Sequence, residues 1–329
     1  MTQILNKPED TVSQILNGVS FIHQEKLERV PQTGIIKYRH VTNQSVAIIS
    51  GGGSGHEPAH FGYVGRGMLQ ASISGPVFVP PSVEDILQGI EEINAPKGTL
   101  LIIKNFEADV RNFLEAKKQA RQKGYLVEHV IVNDDCSIEK GSYRKRRRGV
   151  AGTVFVHKIL GAAAANGMNL NDLKELGEDV VASMNTLGVA VSSGRKIGSD
   201  ERVFELEKDE ISFGIGIHGE PGYRKEPFFS SEYLANELLN KLLVRYSEIS
   251  SKQFAILING LGSTTLMEQF VFSNDIKRLL ELEQVNCVFQ KSGNFMTSTD
   301  MSGISLTLLE IKDLSWLDYL KQETDAFAW

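Results

Sequence analysis

Six short apolar runs alternate with longer amphipathic stretches along this chain, and that alternation restricts the fold more than any other feature. The runs are VAII (46–49), LLIIK (100–104), HVIV (129–132), LGVAVS (187–192), FAILI (254–258) and ISLTLLEI (304–311). Several are continuous rather than alternating, the pattern of strands covered on both faces. Between them, ADVRNFLEAKKQARQKG (108–124), SSEYLANELLNKLLVRY (230–246) and TTLMEQFVFSNDIKRLLELE (264–283) have helical periodicity, the last opening on a capping box from Thr265 to Glu268. Strand–helix alternation predicts an α/β fold with parallel or mixed sheets. At 329 residues the chain is long enough for two such domains. The predicted division follows the helix NDLKELGEDVVASMNT, giving an N-terminal α/β domain over 1–185 and a C-terminal one over 186–329, with SSGRKIGSDER (192–202) an exposed loop of the second.

The charge balance narrows the class of partner. A formal net charge of −6 argues against generic affinity for nucleic acid, which calls for a basic surface. Cys136 and Cys287 lack metal-ligand spacing and read as buried, reduced thiols. The N-terminal residues show no signal-peptide pattern, and GVAGTVFVHKILGAAAANG is too short and too polar to span a bilayer. The expectation is a cytoplasmic protein with no membrane segment.

Directly after the first run comes SGGGSGHEPAHFGYVG (50–65), with four glycines among residues 51–55. It lacks the Gly-Lys-Ser/Thr ending of a phosphate loop and the clean helix of a dinucleotide fingerprint. Glycines in such number bring bare backbone close to a ligand, so Gly52, Gly53, Ser54 and Gly55 are candidates to hold a small polar molecule through N–H groups. Lys104 ends the second apolar run and Asp109 opens the following helix, where ligands sit beyond the carboxyl ends of strands. A helix-start carboxylate such as Asp109 is equally explained by the helix dipole. His218 in GIGIHGEPGYR repeats the local pattern of the first loop. His56 and His60 are four apart, but Pro58 between them forbids the helical turn that would make them a metal pair. No metal and no cofactor are expected. No Gly-x-Ser-x-Gly elbow is present, while imidazole itself is a nucleophile that adds reversibly to a ketone.

The glycine loop, IKNFEADVRNF, RRGVAGTVFVHKILGAAA, GIGIHGEPGYR and the stretch from NGLGSTTLMEQ to MTSTDMSGISLTLL resemble the substrate-binding subunit of dihydroxyacetone kinase, the DhaK type, along essentially the whole chain. The resemblance implies two α/β domains, a homodimer, and dihydroxyacetone held as a hemiaminal on the histidine that maps to His218. It implies an acid/base pair at His56 and Asp109 and substrate contacts at Gly53 and Lys104. In that family a separate L-type subunit carries the nucleotide and supplies the phosphoryl group.

This chain departs from the family pattern around the glycine loop. Residues 75–81 read GPVFVPP, with Pro76, Val79 and Pro80 where the family usually has Asp, Thr and Ser. KNFEAD stands where the family has Lys-Asn-Tyr-Thr-Gly-Asp, and the basic run RKRRR (144–148) is either a solvated loop or a changed partner contact. These departures suggest ligand capture without phosphoryl transfer. Some bacteria carry such a paralogue, a dihydroxyacetone-dependent co-activator that partners a TetR-type transcription factor of the kinase operon and makes no specific DNA contact itself. The alternative is a working kinase subunit paired with an L-type partner.

Overall fold

The computed structural model describes residues 3–42, 44–139, 146–220 and 222–329. The chain divides into two compact units. The first comprises 1–132, 153–181 and 319–329, the second 133–152 and 182–318. Both are α/β, as the alternation predicts.

The first unit is built on a six-stranded sheet of β1 (Leu27–Arg29), β2 (Ile35–Tyr38), β3 (Ala47–Ser54), β4 (Ala71–Val77), β5 (Thr99–Lys104) and β6 (Val127–Val132), in the order β1-β2-β4-β3-β5-β6. β4, β3, β5 and β6 run parallel, while β1 and β2 add an antiparallel edge. β3 and β5 are buried at every position, which is why their sequences read as unbroken apolar runs. Their cover includes α2 (Val83–Ile93), capped by the Ser82 hydroxyl accepting from the Asp85 N–H, and α3 (Glu107–Gln122). Ile86, Ile90, Phe113 and Ala116 pack there against Ile49, Ile73 and Leu101. α4 (Thr153–Ala165) and α5 (Leu170–Ala182) belong to the same unit.

The second unit carries the sheet β11-β10-β12-β7-β8-β9, comprising β7 (Met184–Ser192), β8 (Glu210–Phe213), β9 (Arg224–Pro227), β10 (Gln253–Gly260), β11 (Asn286–Gly293) and β12 (Ser302–Glu310). Only the β10–β11 pair is parallel. α6 (Ser231–Leu243) and α7 (Leu266–Leu282) pack Leu238, Leu242, Phe272 and Ile276 onto Phe254, Ile256 and Leu306. α7 opens on the expected capping box, Thr265 with Glu268. The final helix, α8 (Leu314–Lys321), ends the sequence of elements.

Three expectations change on contact with the structure. The single cut at 185/186 differs from the observed division, in which residues 133–152 join the second unit and 319–329 the first. The exchange is made by non-local pairs. Asp135 bridges to Thr186 within the second unit, and within the first the Ala328 N–H donates to the Gly62 carbonyl at 3.0 Å. Second, SMNT does not extend the preceding helix: α5 stops at Ala182 and Met184 begins β7, since pairing with Leu309 outweighs local helix preference. Third, the basic run is neither a solvated loop nor a free surface where it is described. Arg147 and Arg148 are buried and bonded within the unit, only Arg146 being exposed, while residues 144 and 145 lie outside the described residues. Cys136 is buried as expected, and Cys287 only partly so. Among the described residues no helix is long and apolar enough to cross a membrane.

Candidate functional site

Register between neighbouring strands assembles the site of the first unit. β3 and β5 are parallel and Ser50 pairs with Ile102, so Gly52 stands beside Lys104 two residues further on. A Cβ on Gly52 would lie 2.5 Å from Lys104 Nζ and 3.3 Å from Asp109 Oδ1. Bare backbone, ammonium and carboxylate therefore share one small volume at the carboxyl ends of two strands, where parallel sheets bind ligands. Lys104 is 1% exposed and Asp109 4%. Asp109 sits in the first turn of α3, where the helix N-terminus favours a negative charge.

The rest of the glycine loop is shaped by close backbone approach. Gly55 has φ +101°, which a residue with a Cβ adopts at a cost, and its N–H donates to Glu57 Oε1 at 3.0 Å. Ser54 Oγ donates to the Gly75 carbonyl at 2.8 Å, stitching the ends of β3 and β4. The segment after β4 then folds back over the loop. A Cβ on Gly53 would meet the Val79 nitrogen at 2.7 Å, and one on Gly75 the Pro80 carbonyl carbon at 2.6 Å. Phe78, at φ +57°, brings its ring to 5.2 Å from the fully buried His56 imidazole. Phe78 and Val79 thus lie on the backbone of Gly53, and Val79 and Pro80 on that of Gly75, while the side chains of Pro76 and Val79 are exposed.

Beneath this cluster lies a second set of buried polar groups that the sequence did not single out as a site. His60 Nδ1 is 2.9 Å from His157 Nε2, and the His157 ring stands 5.8 Å from that of Tyr63. Burial, followed by repulsion from Lys104, holds His157 down at about 3. His60 is held well below the ordinary imidazole range by burial and by the charges of Lys104, His157 and His56. Lys104 is itself lowered by burial, an effect that the attraction of Asp109 and Glu57 only partly offsets. Glu57 is raised by burial, against the opposing pull of the Gly55 N–H and Lys104. The spacing of His56 and His60 gives them no joint role, since Pro58 stands between them. The partner of His60 is instead His157 on α4, 97 residues away in sequence.

His218 belongs to the second unit and has its own neighbours there. Its backbone N–H donates to Glu220 Oε2 at 3.0 Å, and its Nδ1 lies 3.2 Å from Glu220 Oε1. With the Nδ1 proton donated to the carboxylate, a neutral ring carries its lone pair on Nε2. Burial would raise Glu220, but the His218 hydrogen bond and the charges of His218 and Arg148 outweigh it and hold the carboxyl at about 2. The repeated Gly-His-Glu-Pro and His-Gly-Glu-Pro wording held the signal for both Glu57 and Glu220, since in each loop the glutamate folds back onto its own backbone. Among the described residues no group of three or more His, Cys, Asp or Glu side chains is arranged to hold a metal ion.

The Dak1 domain model matches residues 17–328. The chain belongs to the Dak1 family. One Dak1 relative, the DhaKLM operon coactivator DhaQ of Lactococcus lactis, is 48% identical over 98% of this chain and 99% of its own length. The dihydroxyacetone-binding subunit DhaK of the PTS-dependent dihydroxyacetone kinase of the same organism is 43% identical over 99% of this chain and 98% of its own. A solved structure of a dihydroxyacetone kinase operon co-activator, Dha-DhaQ, superposes with a TM-score of 0.92 and 48% identity, covering 96% of this chain and 97% of that one. The fold expectation and the family resemblance are therefore both met.

Proposed function

We propose that this Dak1 protein is a dihydroxyacetone receptor, the ligand-dependent co-activator of a TetR-type regulator of a dihydroxyacetone kinase operon. The observation that carries the reading is the apolar segment Phe78–Pro81 closed on Gly53 and Gly75, beside retained His56, Lys104 and Asp109. The ligand-holding groups persist while the polar groups expected near phosphoryl transfer are replaced. Similarity to the DhaQ coactivator supports the same direction.

In this reading His218 Nε2 adds to the ketone carbon. The C=O π pair moves to oxygen, which takes up a proton from solvent, while the ring keeps its Nδ1–H on Glu220 and becomes an imidazolium. The adduct therefore carries one proton more than the neutral ring and free ketone. A polyol offers no carbonyl and forms no such bond, so selection between dihydroxyacetone and glycerol is covalent. The backbone of Gly52, Gly53, Ser54 and Gly55, with Lys104, supplies contacts for hydroxyls and carbonyl oxygen, and His56 and Asp109 remain as an acid/base-like pair. The protein acts as a homodimer that contacts its regulator and leaves DNA contact to that partner.

The second reading, a working kinase subunit, is favoured by the retention of His56, Asp109 and His218 together with 43% identity to a DhaK subunit. One experiment separates the two. The protein is mixed with an L-type subunit, a phosphoryl donor and dihydroxyacetone, and dihydroxyacetone phosphate is followed while calorimetry records binding. Heat of binding without turnover is the expected result. Turnover above about 1 s⁻¹, the lower end of ordinary enzyme rates, makes it a kinase subunit.

A further inference from the structure

We infer that Arg148 is a positioning residue for His218: locked by Asp135, it fixes Glu220 and offsets its charge, so that the imidazole keeps its proton on Nδ1 and its lone pair on Nε2. The inference deepens the capture reading above and rests on it.

The geometry is a four-membered line of side chains within the second unit. Arg148, 9% exposed, donates from Nε to Asp135 Oδ2 at 2.6 Å and from one terminal nitrogen to the Gly214 carbonyl at 2.8 Å and Ser137 Oγ at 3.1 Å. Its other terminal nitrogen faces Glu220 Oε2 at 3.8 Å. Asp135 is held in turn, accepting from the Ser137 N–H at 2.9 Å, while its own N–H donates to the Arg148 carbonyl at 3.0 Å. The guanidinium cannot swing without breaking these bonds, and its fork is rigid. Gly216 makes room for the line: a Cβ there would meet Glu220 Cδ at 2.6 Å.

A carboxylate alone beside an imidazole stabilises the imidazolium and so withdraws the lone pair that must attack. A cation on the far side of the carboxylate weakens that pull. During addition the ring becomes cationic, and Glu220 then holds the Nδ1–H in a charge-assisted bond. Because Arg148 and His218 keep Glu220 acidic, the proton stays on the ring and release of the ketone simply reverses the step. The charged groups on Glu220 are His218 and Arg148, and those on Arg148 are Asp135 and Glu220.

The test uses the full chain and dihydroxyacetone labelled with carbon-13 at its carbonyl, reading by NMR the rate at which the tetrahedral adduct forms across pH. The rate is the quantity to read because only the neutral ring attacks, whereas the cationic adduct, once formed, is not lost in acid. Glu220→Gln is expected to move the acid limb of adduct formation down by about half to one pH unit, and Arg148→Met to move it up by a similar amount. Arg148→Lys restores the limb to near the wild-type position. Shifts of opposite sign cannot come from general loosening of the fold. Shifts in the same direction, or an Arg148→Met profile identical to wild type, overturn the inference. If Arg148→Met loses its near-ultraviolet circular dichroism, Glu220→Gln decides alone, and an unmoved or upward limb overturns the inference. A wild-type protein with no adduct at any pH is a distinct result: it removes the capture reading itself, and this inference with it.

Discussion

Gly52 and Lys104 stand side by side on adjacent parallel strands, close enough that a methyl group on Gly52 would lie 2.5 Å from the lysine nitrogen. The glycine is needed here for space rather than for backbone conformation. Gly52→Ala pushes a buried ammonium whose side chain has little room to retreat. The expected cost is about 1–3 kcal/mol of stability, the usual range for overpacking, with at least a tenfold loss of dihydroxyacetone affinity. Urea titration and calorimetry on the variant read both quantities.

His218 sits in a turn between β8 and β9 and is packed against Glu220 rather than within the core. His218→Ala should abolish the covalent adduct and leave the fold intact, shifting the melting temperature of the unliganded protein by no more than about 2–4 °C. A much larger drop would give the histidine a structural role and weaken the capture reading.

Acid should destabilise this protein through His157. Its folded value of about 3 lies below the unfolded value near 6.5, so the unfolded chain binds a proton that the native one refuses. Stability is present above about pH 6.5 and falls as pH drops from there towards 3. The loss for one such histidine is about 2 kcal/mol at pH 5. His60, lowered in the same direction, adds to it. Chemical denaturation at pH 7 and pH 5 should show a smaller difference for His157→Asn than for wild type by about that amount. Equal differences would mean that His157 does not carry the effect.

The apolar segment over the glycine loop is testable by restoration. Pro76→Asp, Val79→Thr and Pro80→Ser together return the polar groups usual in the family to the segment after β4. The triple variant, supplied with an L-type subunit and a phosphoryl donor, should produce dihydroxyacetone phosphate at least tenfold faster than wild type. An unchanged rate with dihydroxyacetone binding retained would place the block to phosphoryl transfer elsewhere.

Much of the fold was legible because burial on both faces of a parallel strand leaves no room for alternation. Four of the six apolar runs lie wholly within a strand and the other two overrun theirs by one residue, Val46 and Ile311, and the capping box of α7 was readable from Thr265 and Glu268 alone. The glycine loop announced close backbone approach, and Lys104 and Asp109 were placed by the rule that ligands gather at strand carboxyl ends. Residues 133–152 and 319–329 carried no local sign of the unit they would join, since their placement depends on pairs such as Asp135 with Thr186 and Ala328 with Gly62. Arg147 and Arg148 were misread for the same reason. In sequence they sit in a run of like charges, which solvates well, and partners brought near by folding, among them Asp134, Asp135, Asn185 and Gly214, make their burial tolerable.

The sequence by itself determined the class of fold, the family and the types of group available for chemistry, because periodicity, glycine clustering and short motifs are local properties. Tertiary structure decided which groups meet: His60 with His157 and Arg148 with Glu220. Those pairs span long stretches of chain, and their electrostatics depend on distance and desolvation, quantities that exist only once the chain has folded.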